Sequence, residues 1–499
     1  MNENLAAVLL RAADARGSDP AIDTALGAST FDSLRARAGA VARALRDSGL
    51  APGDRVAVLL DRSADAAATI FGIHAGGGVA VVLNERLRPR QIEHALADSG
   101  AALLLSTSEF RERVGEAATM LREFIEVERL PSADLFAPVR RGATDLAHII
   151  YTSGSTGLPK GVMHSHGSIA AGVATVAAYL GLSAADRVAG LLALSSVYGL
   201  NQLLCSVAVG ATYVPERSTF AADVVAALRA RRVTVVAGVP PLWTQLLAVP
   251  EFTEPLPHLR QLQNAGGHLP VESVRRLRAA QPQAELFLQY GMTETWRGTF
   301  LPPTETDRRP GSMGRPIPGA EILVLREDGS PCDADEIGEL AQAGPTLALG
   351  YWGAPAGTDE TFRPHPTRAR ARIVHSGDQV RRDAEGFLYY VGRRDRIIKT
   401  MGHRVGPDEV ADVLLASGQA AEAIVAGEPD PERGQRIVAW VVLVTGGSLQ
   451  QLKRHARAEL PPHMLPSRIE VLEQLPRLSS GKYDLAELQR TAPAPPARS

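Results

Sequence analysis

Short apolar runs alternate, along the first half of the chain, with longer stretches whose apolar residues return at helical spacing. The runs DRVAVLL (54–60), VAVVL (79–83), AALLLS (101–106) and LAHIIY (146–151) read as strands. The Ala/Arg/Leu stretches between them, such as 33–48 and 88–99, read as helices. The rhythm continues through ATYVP (211–215), VTVVAG (233–238) and ELFLQY (285–290). Strands alternating with helices predict an α/β fold with a parallel sheet covered on both faces. After about residue 310, glycine and proline become frequent. There EILVLREDGSPC and GELAQAG predict hairpin strands with a turn at Asp328-Gly329. A third texture begins near 396, with helices expected at 407–417 and 449–460 and strands at 421–427 and 437–444. The Pro/Ala tail at 492–497 is expected to fray.

Composition narrows the functional classes. The 499 residues carry 53 Lys+Arg against 55 Asp+Glu, a net charge of −2, so nothing global attracts nucleic acid or an anionic membrane. Two cysteines, Cys205 and Cys332, make neither a disulfide framework nor a zinc knuckle. The uncharged stretch Val188–Pro215 is interrupted by Ser195, Ser196, Asn201 and Gln202 and reads as buried interior, not a membrane span. The N-terminus has an acid before its apolar stretch, which fits an amphipathic helix better than a secretory signal. The expectation is a cytoplasmic enzyme.

The segment YTSGSTGLPKG (151–161) directly follows the predicted strand LAHII. Glycines let backbone N–H groups approach an anion, while hydroxyls and a lysine add donors and charge, so this is a phosphate grip. It is not a P-loop of the GxxxxGK[ST] type, because Pro159 precedes the lysine and Gly161 follows it.

At this segment the chain resembles the adenylate-forming superfamily of acyl-CoA synthetases, adenylation domains and luciferases. The resemblance covers nearly the whole chain. QYGMTET (289–295), GEL (338–340) with GYW (350–352), HSGDQV (375–380), VGRRDRIIKTMGHRVGPDEV (391–410) and LPRLSSGKYD (475–484) follow in the family's order. It implies a large N-terminal domain, 1–394, of parallel-sheet α/β subdomains plus a small β subdomain. A small mobile α+β domain, 395–499, would swing about a hinge at Asp395. The implied reaction is attack of a carboxylate on ATP to give acyl-AMP and pyrophosphate. Transfer to a thiol follows, that of CoA or of phosphopantetheine on an acyl carrier protein.

By the same resemblance, Thr152, Ser153, Gly154, Ser155, Thr156 and Gly157 with Lys160 hold the β- and γ-phosphates. Glu294 holds Mg²⁺ and Thr293 contacts the α-phosphate. Tyr290, beside Gly291, stacks on adenine, with the backbone of Gly266, Gly267 and His268 along the base. Asp378 accepts from the ribose hydroxyls, and Arg393, with Arg394 and Arg396 as alternatives, reaches the same sugar. Lys482 bridges the reacting carboxylate and the α-phosphate in the first half-reaction only. Gly402 lines a tunnel for the thiol in the second.

The stretch LSSVYGLNQLL (194–204) aligns with the acyl pocket, whose walls would include Val197, Tyr198, Gly199, Gly267, Trp296 and Arg297; core packing is the competing role for Trp296. Amino-acid-activating relatives place an aspartate where this chain has Val197, so the expected acid lacks an α-amine: fatty, short-chain or aryl. TETWRGTFLPP and YGLNQLL also look similar to a bacterial subgroup of stand-alone acyl-CoA ligases, and carrier-protein ligases for proline share some of that look, which makes an amino acid the alternative. His164-Ser165-His166 has no third metal ligand at a useful spacing, and AGGGVAVV (75–82) precedes a strand where a dinucleotide turn would follow one.

Overall fold

The computed structural model describes residues 4–131, 133, 137–152, 159–394, 396–401, 403–430, 433–478 and 483–491. Two sheets form the large N-terminal part. In the first, Arg55–Leu59 lies parallel to Val79–Val82 and Leu103–Ser106, flanked by Glu123–Glu126 on one side and Leu146–Thr152 on the other. Both faces are covered. Val56 and Val58 point into the main core, whereas Ala57 and Leu59 join a second cluster with Ile92 and Phe110, so these strands read as unbroken apolar runs.

The second sheet has a parallel centre of Pro20–Thr24, Thr212–Pro215, Arg187–Gly190, Val235–Gly238, Gln261–Asn264 and Glu285–Tyr290. The expected β region is present and continues from the edge of this sheet. Thr299–Leu301 pairs antiparallel with Glu285–Tyr290 and then with Ser312–Pro316, which carries the pairing into Leu388–Arg393, Arg372–Arg382, Ile337–Ala343 and Glu321–Leu325. The physical reason is the reversal after Tyr290, which returns the chain against its own strand and leaves an open edge to be extended. The Asp328-Gly329 turn is present, with Gly329 at φ +84° and the Arg326 N–H donating to the Ser330 carbonyl.

Helices Ala6–Arg16, Phe31–Asp47, Ala64–Ala75, His166–Tyr179 and Val197–Val209 fill the main core. Val197–Val209 accounts for nearly half of the uncharged stretch, and among the described residues no helix is long and apolar enough to cross a membrane. A third, five-stranded sheet forms the smaller C-terminal domain. It pairs Ala420–Asp430 with Gly434–Leu443, flanks them with Arg468–Val471 and the hairpin Ile398–Thr400/His403–Val405, and packs them under Pro407–Ala416 and Leu449–Glu459. The two short hairpin strands and Leu485–Thr491 were not legible as periodic segments, being too short to show a period.

Candidate active site

One segment, 290–297, makes contacts with Asp378, His164, Tyr351, Asn201 and Tyr198. Tyr290 ends its strand, and its hydroxyl donates to Asp378 at 2.5 Å. Burial and that carboxylate hold the phenol protonated, far above its ordinary range. Asp378 itself is buried, stands opposite Arg393 in the strand pairing, and lies 3.4 Å from its guanidinium. The turn before Asp378 needs Gly377 at φ +72°, where a side chain would be strained. Glu339 fixes that turn by accepting from the Gly377 N–H at 3.0 Å and meeting His375 at 3.2 Å.

Thr293–Thr295 forms a single 3₁₀ turn. His164 donates from Nε2 to the Thr293 carbonyl at 2.7 Å, so the histidine set aside as a metal ligand instead braces this turn from the core. Burial pushes His164 down to about 4, which keeps it neutral with its proton available for that bond. Glu294 accepts from the Tyr351 hydroxyl at 2.6 Å, and Lys160 Nζ lies 5.6 Å from the Tyr351 ring centroid. Tyr351 thus joins Lys160 to Glu294, the residues expected at the phosphates and at the metal. Sequence reasoning quoted it within GYW and gave it no role. Its strand partner is Val162, next to Gly161 and Lys160, while Thr152 pairs with Lys160 across the two strands that flank the glycine-rich loop.

The residues expected to line the acyl pocket include the end of the same segment, Trp296 and Arg297, and the helix they meet. Trp296 takes φ +64°, a costly conformation for a bulky residue, and donates from Nε1 to Asn201 at 2.8 Å. It is buried in the core against Gly172, where a Cβ would sit 2.3 Å from the indole ring. Val197 opens its helix, which Ser196 caps by accepting from the Gly199 N–H at 3.0 Å. Tyr198 donates to the Gln263 carbonyl at 2.8 Å, and the Arg297 guanidinium lies 4.8 Å from the centroid of its ring.

Gly266 takes φ +78° after the strand Gln261–Asn264, and Asn264 donates to the Gly267 carbonyl at 3.3 Å. His268 Nε2 reaches Asp412 of the C-terminal domain at 2.9 Å. Burial opposes a charge there. The Asp412 carboxylate, its hydrogen bond and Asp408 behind it nevertheless raise the imidazole to about 9. Ser153, Gly154, Ser155, Thr156, Gly157, Asp395, Gly402 and Lys482 lie outside the described residues. Arg477 and Tyr483, which flank the SSGK sequence, pair as an isolated antiparallel bridge.

A family profile described as AMP-binding enzyme matches residues 9–352, and one described as AMP-binding enzyme C-terminal domain matches 409–482. The chain is 32% identical, over 97% of its length and 95% of the relative's, to the 4-hydroxybenzoate–CoA/benzoate–CoA ligase of Rhodopseudomonas palustris. It is 31% identical over 92% of its length to tyrocidine synthase 3 of Brevibacillus parabrevis, of which it spans 7%. Its fold matches the o-succinylbenzoate CoA synthetase of Bacillus subtilis, solved with the acyl-adenylate intermediate, at a TM-score of 0.87 and 28% identity, covering 97% of this chain and 98% of that one. The same synthetase bound to ATP and magnesium matches at 0.86 and 29%, covering 97% and 99%.

Proposed function

The chain belongs to the AMP-binding enzyme family, and from that premise we propose that it joins a carboxylic acid lacking an α-amino group to the thiol of coenzyme A. The reaction class is ATP-dependent acid–thiol ligation through an acyl-AMP. The acid's carboxylate oxygen bonds to the α-phosphorus as the bond to pyrophosphate breaks. The thiol sulfur then bonds to the acyl carbon as AMP leaves.

The observation that carries this reading is the chain of contacts along 290–297. There the base-side tyrosine is tied to the ribose-side aspartate, and the metal-side glutamate to the lysine-side tyrosine. Asp378 can keep Tyr290 and still accept from a ribose diol, because two carboxylate oxygens offer about four lone-pair sites. Arg393 steadies the same carboxylate. Glu294 supplies the hard oxygen donor that Mg²⁺ prefers, so the residue fits the ion, which when bound would neutralise charge on the phosphate oxygens. Lys160 and the 152–157 loop take the outer phosphates, Thr293 takes the α-phosphate, and Lys482 takes the developing charge between acid and α-phosphorus.

Two features support an acid without an amine. Val197 provides no carboxylate, and it sits at a helix N-terminus, whose partial positive charge disfavours an ammonium. Arg297 adds a full positive charge against the neighbouring Tyr198. The full-length benzoate–CoA ligase relative supports CoA as the acceptor.

A pyrophosphate-release screen over carboxylic acids, with and without CoA, tests the reading. AMP and pyrophosphate should form only with acid and Mg²⁺ present; ADP and phosphate would overturn it. Proline or another α-amino acid turning over as well as its des-amino analogue would overturn the choice of acid. Thioester made only on a phosphopantetheinylated carrier protein would overturn the choice of acceptor.

A further inference from the structure

Arg297 is 2% exposed, yet among the described residues no carboxylate pairs with it and its Nε is buried without an acceptor. A buried, uncompensated cation is among the costliest arrangements a protein can hold, and such groups concentrate where a ligand completes them. The surroundings hold several buried polar atoms without partners, the acceptors Gln342 Oε1 and Gln202 Oε1 among them. Arg297 Nε, Gln289 Nε2 and Asn201 Nδ2 are buried without acceptors. Gln289 and Asn201 are neighbours of the same pocket: Gln289 Oε1 takes the Tyr179 hydroxyl at 3.1 Å, and Asn201 Oδ1 takes the Trp296 indole. Burial raises the titration of Tyr179, Tyr198 and Cys205, and in each case the Arg297 charge is the first influence opposing it, so all three surround one cation. None of them is ionised at neutral pH, and none balances the charge.

We propose that Arg297 is a specificity-determining residue that receives a second carboxylate on the acyl part of the substrate, so that the enzyme activates one end of a dicarboxylic acid. The inference rests on the ligase reading above. The reacting carboxylate must lie near Thr293 and Glu294, whereas Arg297 stands beyond the strained Trp296 against Tyr198, on the helix that forms the pocket wall. A planar guanidinium takes a carboxylate through two parallel N–H bonds, and the Tyr198 ring behind it supports the plane. The pairing explains why an arginine is kept buried where a monocarboxylate would leave it alone.

The test is pyrophosphate release with matched acid pairs in which a methyl replaces the second carboxylate. The pairs are malonate and propionate, succinate and butyrate, glutarate and pentanoate, adipate and hexanoate, and the three benzenedicarboxylates with their toluates. At least one dicarboxylate should exceed its methyl partner by about 10²–10³ in kcat/KM, the range expected when a buried polar group is left unpaired. Arg297→Gln should collapse that ratio toward one, mainly through KM, while Arg297→Lys should keep a part of it. ATP binding to each variant, followed calorimetrically, establishes that the fold is intact. Methyl partners that match or beat every dicarboxylate would overturn the proposal and leave the ligase reading standing. So would a preference that survives in Arg297→Gln. No pyrophosphate from any acid, including the unsubstituted fatty and aryl acids, would overturn the ligase reading and this inference with it.

Discussion

Tyr351 donates to one oxygen of Glu294 and carries Lys160 over its ring, so it orients the carboxylate proposed to meet the metal. Replacing Glu294 by Gln removes a charged oxygen ligand, and pyrophosphate release should fall about 10²–10³-fold. Tyr351→Phe keeps the ring and deletes only the hydroxyl. A hydrogen bond to a charged group contributes about 1.5–3 kcal/mol. The variant should therefore lose about tenfold or somewhat more in kcat/KM and need more Mg²⁺ to saturate, with little change in Tm. If Mg²⁺ titrations of Tyr351→Phe and the parent superimpose, the tyrosine is only a packing residue. Glu294 was legible in the sequence because its motif carries it. Tyr351 was not, because its partner stands 57 positions away and only the fold brings them together. Arg297 was visible as a wall residue, but its lack of a counter-charge is a property of burial that no motif can show.

At the scale of elements, the strands that bear the site were readable because they are buried on both faces and therefore continuously apolar. What joins them was not. Four histidines sit where the helix Ala64–Ala75, the strand Leu146–Thr152, the strand Lys160–Ser165 and the start of the helix His166–Tyr179 converge. His74 and His148 meet Nε2 to Nε2 at 2.9 Å, the His74 and His166 rings lie 5.4 Å apart, and His166 Nδ1 accepts from the Leu5 N–H. Burial, and then mutual repulsion, push His148 down to about 3; burial, then the Arg141 charge, bring His166 to about 4. His74 is lowered well below its usual value for the same reasons. Their folded pKa values lie below the unfolded value of about 6.5, so the unfolded chain binds the extra protons. Stability is thus fully present above about pH 6.5 and is lost as pH falls from there toward 4 and 3. Chemical denaturation across pH 7 to 4.5 should show a falling unfolding free energy with net proton uptake. His148→Gln should flatten that slope. A slope unchanged in the variant would mean that surface carboxylates, not this cluster, control acid sensitivity.

At the scale of the whole molecule, the third sheet was foreseen from the change of texture near 396, but its seat against the rest of the chain was not. That seat includes the His268–Asp412 pair, which joins the turn after Gln261–Asn264 to the helix Pro407–Ala416. Here the sign reverses. A histidine raised to about 9 stabilises fully below about 6.5 and loses its contribution as pH climbs through 9. Hydrogen exchange of Pro407–Ala416 should quicken above pH 9, and Asp412→Asn should quicken it already at neutral pH. Protection that ignores both changes would assign the docking to apolar packing alone.

In the proposed reading the C-terminal domain leaves this seat between half-reactions, and two substitutions test whether it does. If Lys482 stabilises attack on the α-phosphorus, losing its ammonium should cost about 10²–10³ in adenylation. If the second step turns another face of the domain to the site, thioester formation from synthetic acyl-AMP and CoA should proceed in Lys482→Ala at close to the parent rate. Asp395→Pro should do the reverse. If Asp395 is the hinge, proline there, with φ held near about −65°, should block the swing, so that acyl-AMP accumulates and passes slowly to the thiol. Single-turnover assays of each step read both variants. Equal loss of both steps in both variants would show that one fixed arrangement serves the whole reaction. Normal adenylation by Lys482→Ala would move the catalytic cation elsewhere, and Lys160, already held over Tyr351 beside Glu294, is the residue the geometry then favours.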